Sequence, residues 1–175
     1  IEPAEEGAGV VVFSGSGRYV TCSSNFNEFY CFDLESDQDE PVFKRVYENS
    51  QRYLAISPDE QLWVCWGTAG VEILEIDTQK SLFFERGLRA VRKVCFHPDG
   101  KTIIAGMDDG TILVMDSRTG EHEFSLHGTN SRGEHNGAVG WFEFYAHNRL
   151  AVACFSGELQ FWDWDQRLQL GGLKV

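Results

Sequence analysis

Short apolar runs alternate with turn-forming residues along almost the whole chain. The runs are rich in Val, Ile, Phe and Tyr, and clusters of Gly, Pro, Asn, Asp and Ser separate them. This pattern is typical of β-strands joined by tight turns. No segment shows a sustained 3.6-residue apolar period, so the sequence predicts an all-β protein with very little helix.

A turn-bearing segment recurs four times. Each copy follows an apolar run, and the copies begin at Phe13, Ile56, Phe96 and Phe144. The starting residues are 43, 40 and 48 positions apart, a spacing typical of a repeated four-stranded sheet.

A second landmark follows each segment and keeps the same register. An apolar residue and an aspartate end the next strand-like stretch, at Asp33, Asp77, Asp116 and Asp163, which are 20, 21, 20 and 19 residues after the first landmark. In the third unit Asp109-Gly110 separates two apolar runs, as in a tight hairpin. The spacing predicts four consecutive four-stranded antiparallel sheets within one segment, residues 1–175, with units at about 10–48, 53–86, 91–126 and 138–171.

At this point the sequence resembles the WD-repeat family. Residues 91–116 fit the family pattern best, and the fourth unit carries a literal Trp162-Asp163. His135 stands nine residues before Phe144, where the family places its Gly-His histidine. The family's His–Ser/Thr–Asp–Trp network is incomplete in every unit, because Gly87 occupies the His position of unit three and Ser156 the Asp position of unit four.

The resemblance implies a β-propeller. Because rings of this family usually have seven or eight blades, we expect an open arc of four blades or part of a larger ring. Either arrangement leaves two apolar blade faces to be covered. The covering blades would come from further chain or from a second copy. The first residue is Ile1 rather than Met, which favours an excerpt or a processed chain.

Composition and charge limit the classes of partner and the compartment that we expect for this chain. The chain has 27 acidic and 15 basic side chains and a net charge of −12, which disfavours direct contact with nucleic acid or with anionic membranes. No apolar stretch reaches the roughly 20 residues that a membrane helix needs, and the acidic start is unlike a signal peptide. Five cysteines without a CxxC pair favour reduced thiols in the cytoplasm or nucleus.

No motif predicts a catalytic, metal or cofactor site. Residues 14–17, Ser-Gly-Ser-Gly, lie between two strands and therefore indicate a turn rather than a phosphate loop. The loop histidines His127 and His135 could approach a metal together with Glu134, but solvated loop residues are the more common case. We therefore expect a protein that is not an enzyme; the alternative is a hydrolase or lyase with its site in a central channel.

One strand position is predicted to hold a small apolar side chain. Nine residues after each first landmark stand Cys22, Cys65, Ala105 and Ala153. A position that alternates Cys with Ala indicates packing rather than redox or catalytic chemistry.

The function predicted from the resemblance is a protein-interaction scaffold. Partners would dock on inter-blade loops 49–52, 87–90 and 127–138 and on hairpins 25–28, 67–70, 108–110 and 155–157. Arg52, Arg89 and Arg132 would pair with an acidic or phosphorylated peptide. His135 and Trp141 complete the predicted contact set.

Two narrower functions stay open. Some WD-repeat substrate receptors of cullin-RING ubiquitin ligases carry Trp-Asp-x-Arg after the third strand. Residues 115–118 lie at the expected place after the third strand but have Met in place of the Trp. Residues 164–167 have the full motif but lie two residues away from the expected place. The other alternative is a protein subunit of an RNA-processing particle. Among the aromatics, Trp63 and Phe144 fit the core, whereas Phe26, Trp66 and Trp164 are candidate exposed contacts.

Overall fold

The fold is known from a computed structural model, which describes residues 8–24, 27–47, 51–67, 70–85, 91–128 and 137–174, with the backbone alone at 8–9 and 51–53. Strands and turns account for these residues, and none of them is helical. This part of the chain accordingly has no helix that is long and apolar enough to cross a membrane. Two compact units divide the chain, residues 1–89 and 90–175.

The strands fall in chain order along the two units. They are β1 (Ala8–Phe13), β2 (Tyr19–Ser24), β3 (Glu28–Asp33), β4 (Phe43–Val46), β5 (Gln51–Ile56), β6 (Leu62–Gly67), β7 (Gly70–Glu75), β8 (Ser81–Glu85), β9 (Val91–Phe96), β10 (Thr102–Met107), β11 (Thr111–Asp116), β12 (His122–His127), β13 (Val139–Ala146), β14 (Arg149–Cys154), β15 (Glu158–Asp163) and β16 (Leu168–Lys174).

Every four consecutive strands form one antiparallel sheet with its strands in chain order. The first sheet (β1–β4) and the second (β5–β8) belong to the first unit, and the third (β9–β12) and fourth (β13–β16) to the second unit. The prediction of an all-β chain with four consecutive four-stranded sheets is confirmed. The last strand runs three residues further than the predicted 167–171.

The turn between the first two strands repeats in three sheets. Ser14, Ser57 and His97 each donate their N–H to the carbonyl five residues later, at 2.9 Å in all three cases. Three residues after each of them the backbone φ is positive, at Gly17 (81°), Glu60 (59°) and Gly100 (74°). The first landmark is therefore a recurring turn in which the left-handed position favours glycine.

The second sheet differs from the others in its central hairpin. Asp33, Asp116 and Asp163 end the third strand opposite the first residue of the second strand. In the second sheet Glu75 holds that place opposite Leu62, and Asp77 lies two residues later in an exposed turn. Loop length accounts for one of these two positions, because Gly67 pairs with Gly70 and the loop is one residue shorter than its counterparts.

The fourth sheet is also one residue shorter than its counterparts, but in its first turn. Phe144 pairs with a residue six positions later, whereas Phe13, Ile56 and Phe96 pair with residues seven positions later. Val152 therefore stands at the strand position of Cys65 and Ala105, so the prediction of Ala153 for that position is wrong. Cys65 and Ala105 are fully buried, as predicted, whereas Cys22 is only half-buried.

Aromatic rings fill the core of the first unit. Trp63 is fully buried, and Phe29 and Phe43 approach its ring edge-on, with centroids 5.9 Å and 5.3 Å away. Such pairs add about 0.5–1.5 kcal/mol beyond their area burial. The prediction for Trp63 is confirmed, and the expectation of an exposed Trp66 is wrong because that side chain is fully buried too.

A buried carboxylate also joins the two sheets of the first unit. Glu72 on β7 is 2% exposed, and its oxygens accept hydrogen bonds from Arg45 and Tyr47, which belong to β4 and the residue following it. Burial raises the pKa of the Tyr47 hydroxyl, so the phenol stays protonated and donates. The pairing satisfies a charge that would otherwise be costly to bury.

The second unit packs more closely at one glycine. Aliphatic and aromatic side chains of the third and fourth sheets form its core, with Ile104 and Val114 against Phe142 and Leu150. A Cβ at Gly106 would lie 2.5 Å from a methyl carbon of Val139 and 2.9 Å from the Phe142 ring. Glycine is therefore required here by the approach of the next sheet rather than by its backbone angles.

All five cysteines lie in the described part of the chain and are free thiols. Burial raises the pKa of Cys31 and of Cys95 to about 12 and also raises that of Cys22, Cys65 and Cys154. Because the thiolate is the reactive form, these groups behave as packing residues.

Stability is expected to fall in acid through the strand-end aspartates. A hydrogen bond from Arg18 lowers the pKa of Asp33, and the Gln166 N–H, followed by Arg149, lowers that of Asp163. A lowered folded-state pKa contributes stability above the ordinary Asp pKa of about 4, and that stability is lost as the pH falls through the folded value. The loss is measured as the difference between the urea midpoints at pH 7 and at pH 3. The variant Asp163→Asn should have a smaller difference than the wild type. An equal difference in wild type and variant would contradict the assignment.

Candidate protein-interaction site

Most of the predicted contact residues lie outside the described part of the structure. Arg89, Arg132 and His135 belong to residues that are not described, as does Phe26. Arg52 lies in β5, but its side chain is also outside the description. Of the predicted contact set, only the environment of Trp141 can be examined.

Trp141 is an exposed ring held by a lysine of the neighbouring sheet. It stands on β13 with 59% of its surface exposed, and the Lys93 Nζ lies 3.0 Å from the ring centroid. The same ammonium forms an ion pair with Glu143 at 3.6 Å. Burial lowers the pKa of Lys93, as expected for a cation that the ring and the sheet shield from water.

A second exposed ring stands on the adjacent hairpin. Phe155 opens the loop between β14 and β15 and is 67% exposed. Its ring lies 3.5 Å from where a Cβ of Gly140 would be, so a larger residue there would crowd it. The Arg92 guanidinium is 5.4 Å from the ring centroid and forms an ion pair with Asp108 on the preceding hairpin.

These residues form one surface, which we call the hairpin-end surface. It consists of Arg92, Lys93, Asp108, Trp141, Glu143 and Phe155. Two neighbouring residues of β9 each contact one exposed ring, and each is paired with a carboxylate. Exposed rings in a fixed orientation are suitable anchors for a protein partner.

The described residues contain no group of three or more His, Cys, Asp or Glu side chains arranged to hold a metal ion. The hairpin-end surface presents ring faces and paired charges.

Comparison with known proteins decides the family. Residues 44–144 match the family model described as the Anaphase-promoting complex subunit 4 WD40 domain. The chain belongs to the WD-repeat family. It is 31% identical over 137 residues to the U3 small nucleolar RNA-associated protein 18 homolog of Arabidopsis thaliana, covering 73% of this chain and 25% of that protein. It is also 34% identical over 68 residues to the Target of rapamycin complex subunit wat1 of Schizosaccharomyces pombe, covering 37% of this chain and 22% of that protein. The chain thus spans about a quarter of the length of these relatives.

The WD-repeat landmarks lie in turns and in the core. Carboxylate oxygens of Asp33, Asp109 and Asp116 accept backbone N–H bonds from residues two or three positions later. Trp162 is 3% exposed, and its Nε1 donates to Gln160 at 3.0 Å. In the structure these residues close turns and fill the core.

The two partial Trp-Asp-x-Arg matches are also engaged internally. The Asp116 carboxylate binds the turn that follows it. Trp164 is half-buried and stacks on His97 with centroids 5.1 Å apart, while the Arg167 guanidinium lies 3.9 Å from the Phe124 centroid. The expectation that Trp164 is an exposed contact is therefore wrong.

Sequence reasoning missed Arg92 and Lys93. The two cations act across sheets, and a contact between residues about 50–60 positions apart leaves no local signature in a strand pattern. Phe155 belongs to the predicted docking hairpin 155–157, in which it is the one aromatic residue beside Ser156 and Gly157.

Proposed function

We propose that this WD-repeat segment is a non-catalytic scaffold that binds proteins or peptides through the hairpin-end surface and the neighbouring inter-blade loops. The observation that carries the proposal is the pair of exposed rings, Trp141 and Phe155, each held by a cation of β9. Holding a ring in place before binding reduces the entropy lost when the partner docks. The proposal includes an intracellular setting, cytoplasm or nucleus, to which the free thiols give support.

The names of the relatives support membership of a complex. One is named as associated with U3 small nucleolar RNA and the other as a subunit of the target of rapamycin complex. A second candidate is therefore a protein subunit of an RNA-processing particle, favoured by the relative that matches 73% of this chain. In that role the segment would bind protein components, since its net charge of −12 opposes contact with phosphates.

Affinity capture with the 175-residue chain as bait tests the hairpin-end surface. In the double variant Trp141→Ser, Phe155→Ser, the amount of each specific partner protein that is captured should fall by about 10-fold or more, because central aromatic anchors dominate protein interfaces. Leu34→Ser, an equally exposed apolar residue in the first unit, serves as the matched control and should capture normally. Quantitative mass spectrometry with and without ribonuclease separates protein contacts from RNA bridging. Equal capture by the wild type and the double variant would refute the proposed surface.

The three arginines predicted on the inter-blade loops require a separate experiment. If Arg52, Arg89 and Arg132 recognise an acidic or phosphorylated peptide, their combined replacement by Glu should abolish capture of that class of partner. Unchanged capture by the triple variant would remove these residues from the site and leave the hairpin-end surface as the proposed contact.

A further inference from the structure

One carboxylate joins the first turn of the first sheet to the first turn of the second. Glu60, in the turn between β5 and β6, accepts hydrogen bonds through Oε1 from the Ser16 N–H at 3.1 Å and from the Ser16 hydroxyl at 2.5 Å. Hydrogen bonds from Ser16 and then Ser14 hold the pKa of Glu60 below its ordinary range, so the carboxylate is ionised near neutral pH. We call this contact between Ser16 and Glu60 the turn clasp.

The backbone of Glu60 has an unfavourable conformation at this place. Its φ is 59°, whereas glycine holds the same turn position in the first and third sheets, as Gly17 and Gly100. A residue other than glycine keeps a positive φ only where the surrounding structure compensates for it. The turn clasp supplies that compensation, so the side chain of Glu60 serves the contact between the two sheets.

Ser16 occupies a position of the repeat that is acidic in two other turns. Ser16, Asp59 and Asp99 each stand three residues after the first landmark. In all three, a side-chain oxygen accepts the backbone N–H of the residue two positions later, at 3.0, 3.2 and 2.8 Å. The turn therefore accommodates a negative charge at this position. Ser16 differs from the two aspartates because its hydroxyl can acquire such a charge by phosphorylation.

The tip of this turn is accessible to an enzyme. Residues 15–18 are exposed, and a Cβ at Gly15 or Gly17 would meet no atom of the described chain within 4 Å. Arg18 follows Ser16 by two positions, with its side chain 44% exposed. Serine kinases recognise their substrates partly by the charge pattern around the serine, and a basic residue two positions after it is one such pattern.

A phosphate on Ser16 is incompatible with the turn clasp. The esterified Oγ has no hydrogen left to donate to Glu60, and the phosphate carries about −1.5 to −2 charges at pH 7. Arg18 cannot balance this charge, because its guanidinium is already 2.7 Å from Asp33 and 3.8 Å from Glu35. The phosphate and the Glu60 carboxylate would therefore repel each other.

We propose that Ser16 is a phosphorylation site and that its phosphorylation opens the turn clasp between the first and second sheets. In this reaction the Ser16 Oγ attacks the γ-phosphorus of ATP and the bond from that phosphorus to the β–γ bridging oxygen breaks. ADP leaves, and the hydroxyl proton passes to a base of the kinase. The turn clasp shares no residue with the hairpin-end surface, so this inference goes beyond the proposed scaffold function and does not depend on it.

Incubation of the 175-residue chain with ATP and a serine kinase selective for Ser-x-Arg tests the modification. Tandem mass spectrometry is expected to place a phosphate on Ser16 in the wild type, and that phosphate should be lost in Ser16→Ala. Ser36 is the matched control within the chain, because it is exposed as well but lies between Glu35 and Asp37, and it should stay unmodified. A wild-type chain without phosphate on Ser16 would overturn the proposal.

Thermal unfolding of a chain that carries phosphoserine in place of Ser16 tests the opening of the turn clasp. Its Tm is expected to lie about 2–4 °C below that of the unmodified chain. The variant Glu60→Gly removes the carboxylate and has the residue found in the sister turns, so phosphoserine should leave its Tm unchanged. Glu60→Asn, which tolerates a positive φ without a charge, should behave likewise. An unchanged Tm in the wild type, or an equal fall in all three backgrounds, would show that the phosphate does not act through Glu60 and would overturn the proposal.

Discussion

Replacing Trp63 by alanine is expected to lower the free energy of unfolding by about 3–5 kcal/mol, the range for large-to-small changes of buried aromatic residues. The ring is fully buried and is contacted edge-on by Phe29 and Phe43. Its removal leaves a cavity between two sheets that are joined there by side chains, so the surrounding backbone cannot easily close it. Urea unfolding followed by circular dichroism measures the loss.

The same substitution at Trp141 is the matched control. That ring is 59% exposed, so Trp141→Ala should change the free energy of unfolding by less than about 1 kcal/mol. A comparable loss at the two sites would mean that Trp63 is not the centre of the first-unit core.

Replacing Glu72 by alanine is expected to cost about 2–4 kcal/mol. The change leaves the Tyr47 hydroxyl, on a residue that is 8% exposed, without its acceptor. The side chain of Arg45 is 40% exposed and can turn toward water, so the cost should fall below that of a fully buried pair. Urea midpoints for Glu72→Ala, Tyr47→Phe and the double variant measure the coupling energy directly.

An exposed ion pair provides the comparison for Glu72. Glu28 accepts from Lys44 at a more exposed place on the first sheet, and solvent screens exposed pairs of this kind so that they contribute little to stability. If Glu28→Ala were as costly as Glu72→Ala, burial could not be the source of the stabilisation.

The repeat could be predicted because it rests on local chemistry. Turn residues and alternating apolar runs set four strands per unit, and the turn at Ser14, Ser57 and His97 has the same hydrogen bonds each time. Single-residue length changes were harder to detect from the sequence, because the spacing of Asp77 from its first landmark differs by only one residue from that of Asp33 and Asp116. Strand pairing was needed to show that Glu75, opposite Leu62, is the residue that ends the third strand of the second sheet.

The candidate site was predicted less completely than the fold. Trp141 was identified as an aromatic near an inter-blade loop, but its exposure depends on which face of β13 lacks a neighbouring sheet. Trp66 and Trp164 follow the same local pattern and are covered by other side chains. Contacts such as Lys93 with Trp141 depend on how two sheets meet, which residue spacing within one strand cannot specify.

The two shorter turns also show how the repeat accommodates a change of length. One hairpin of the second sheet and one turn of the fourth sheet are each a residue shorter than their counterparts, yet Leu74 pairs with Trp63 as Trp162 pairs with Leu150, at equivalent strand positions. A turn can therefore differ by one residue in length without exchanging the interior and exterior sides of the strand that follows it. The four sheets accordingly keep a common interior although their turns differ in length and sequence, because the side chains that meet between sheets hold the same strand positions.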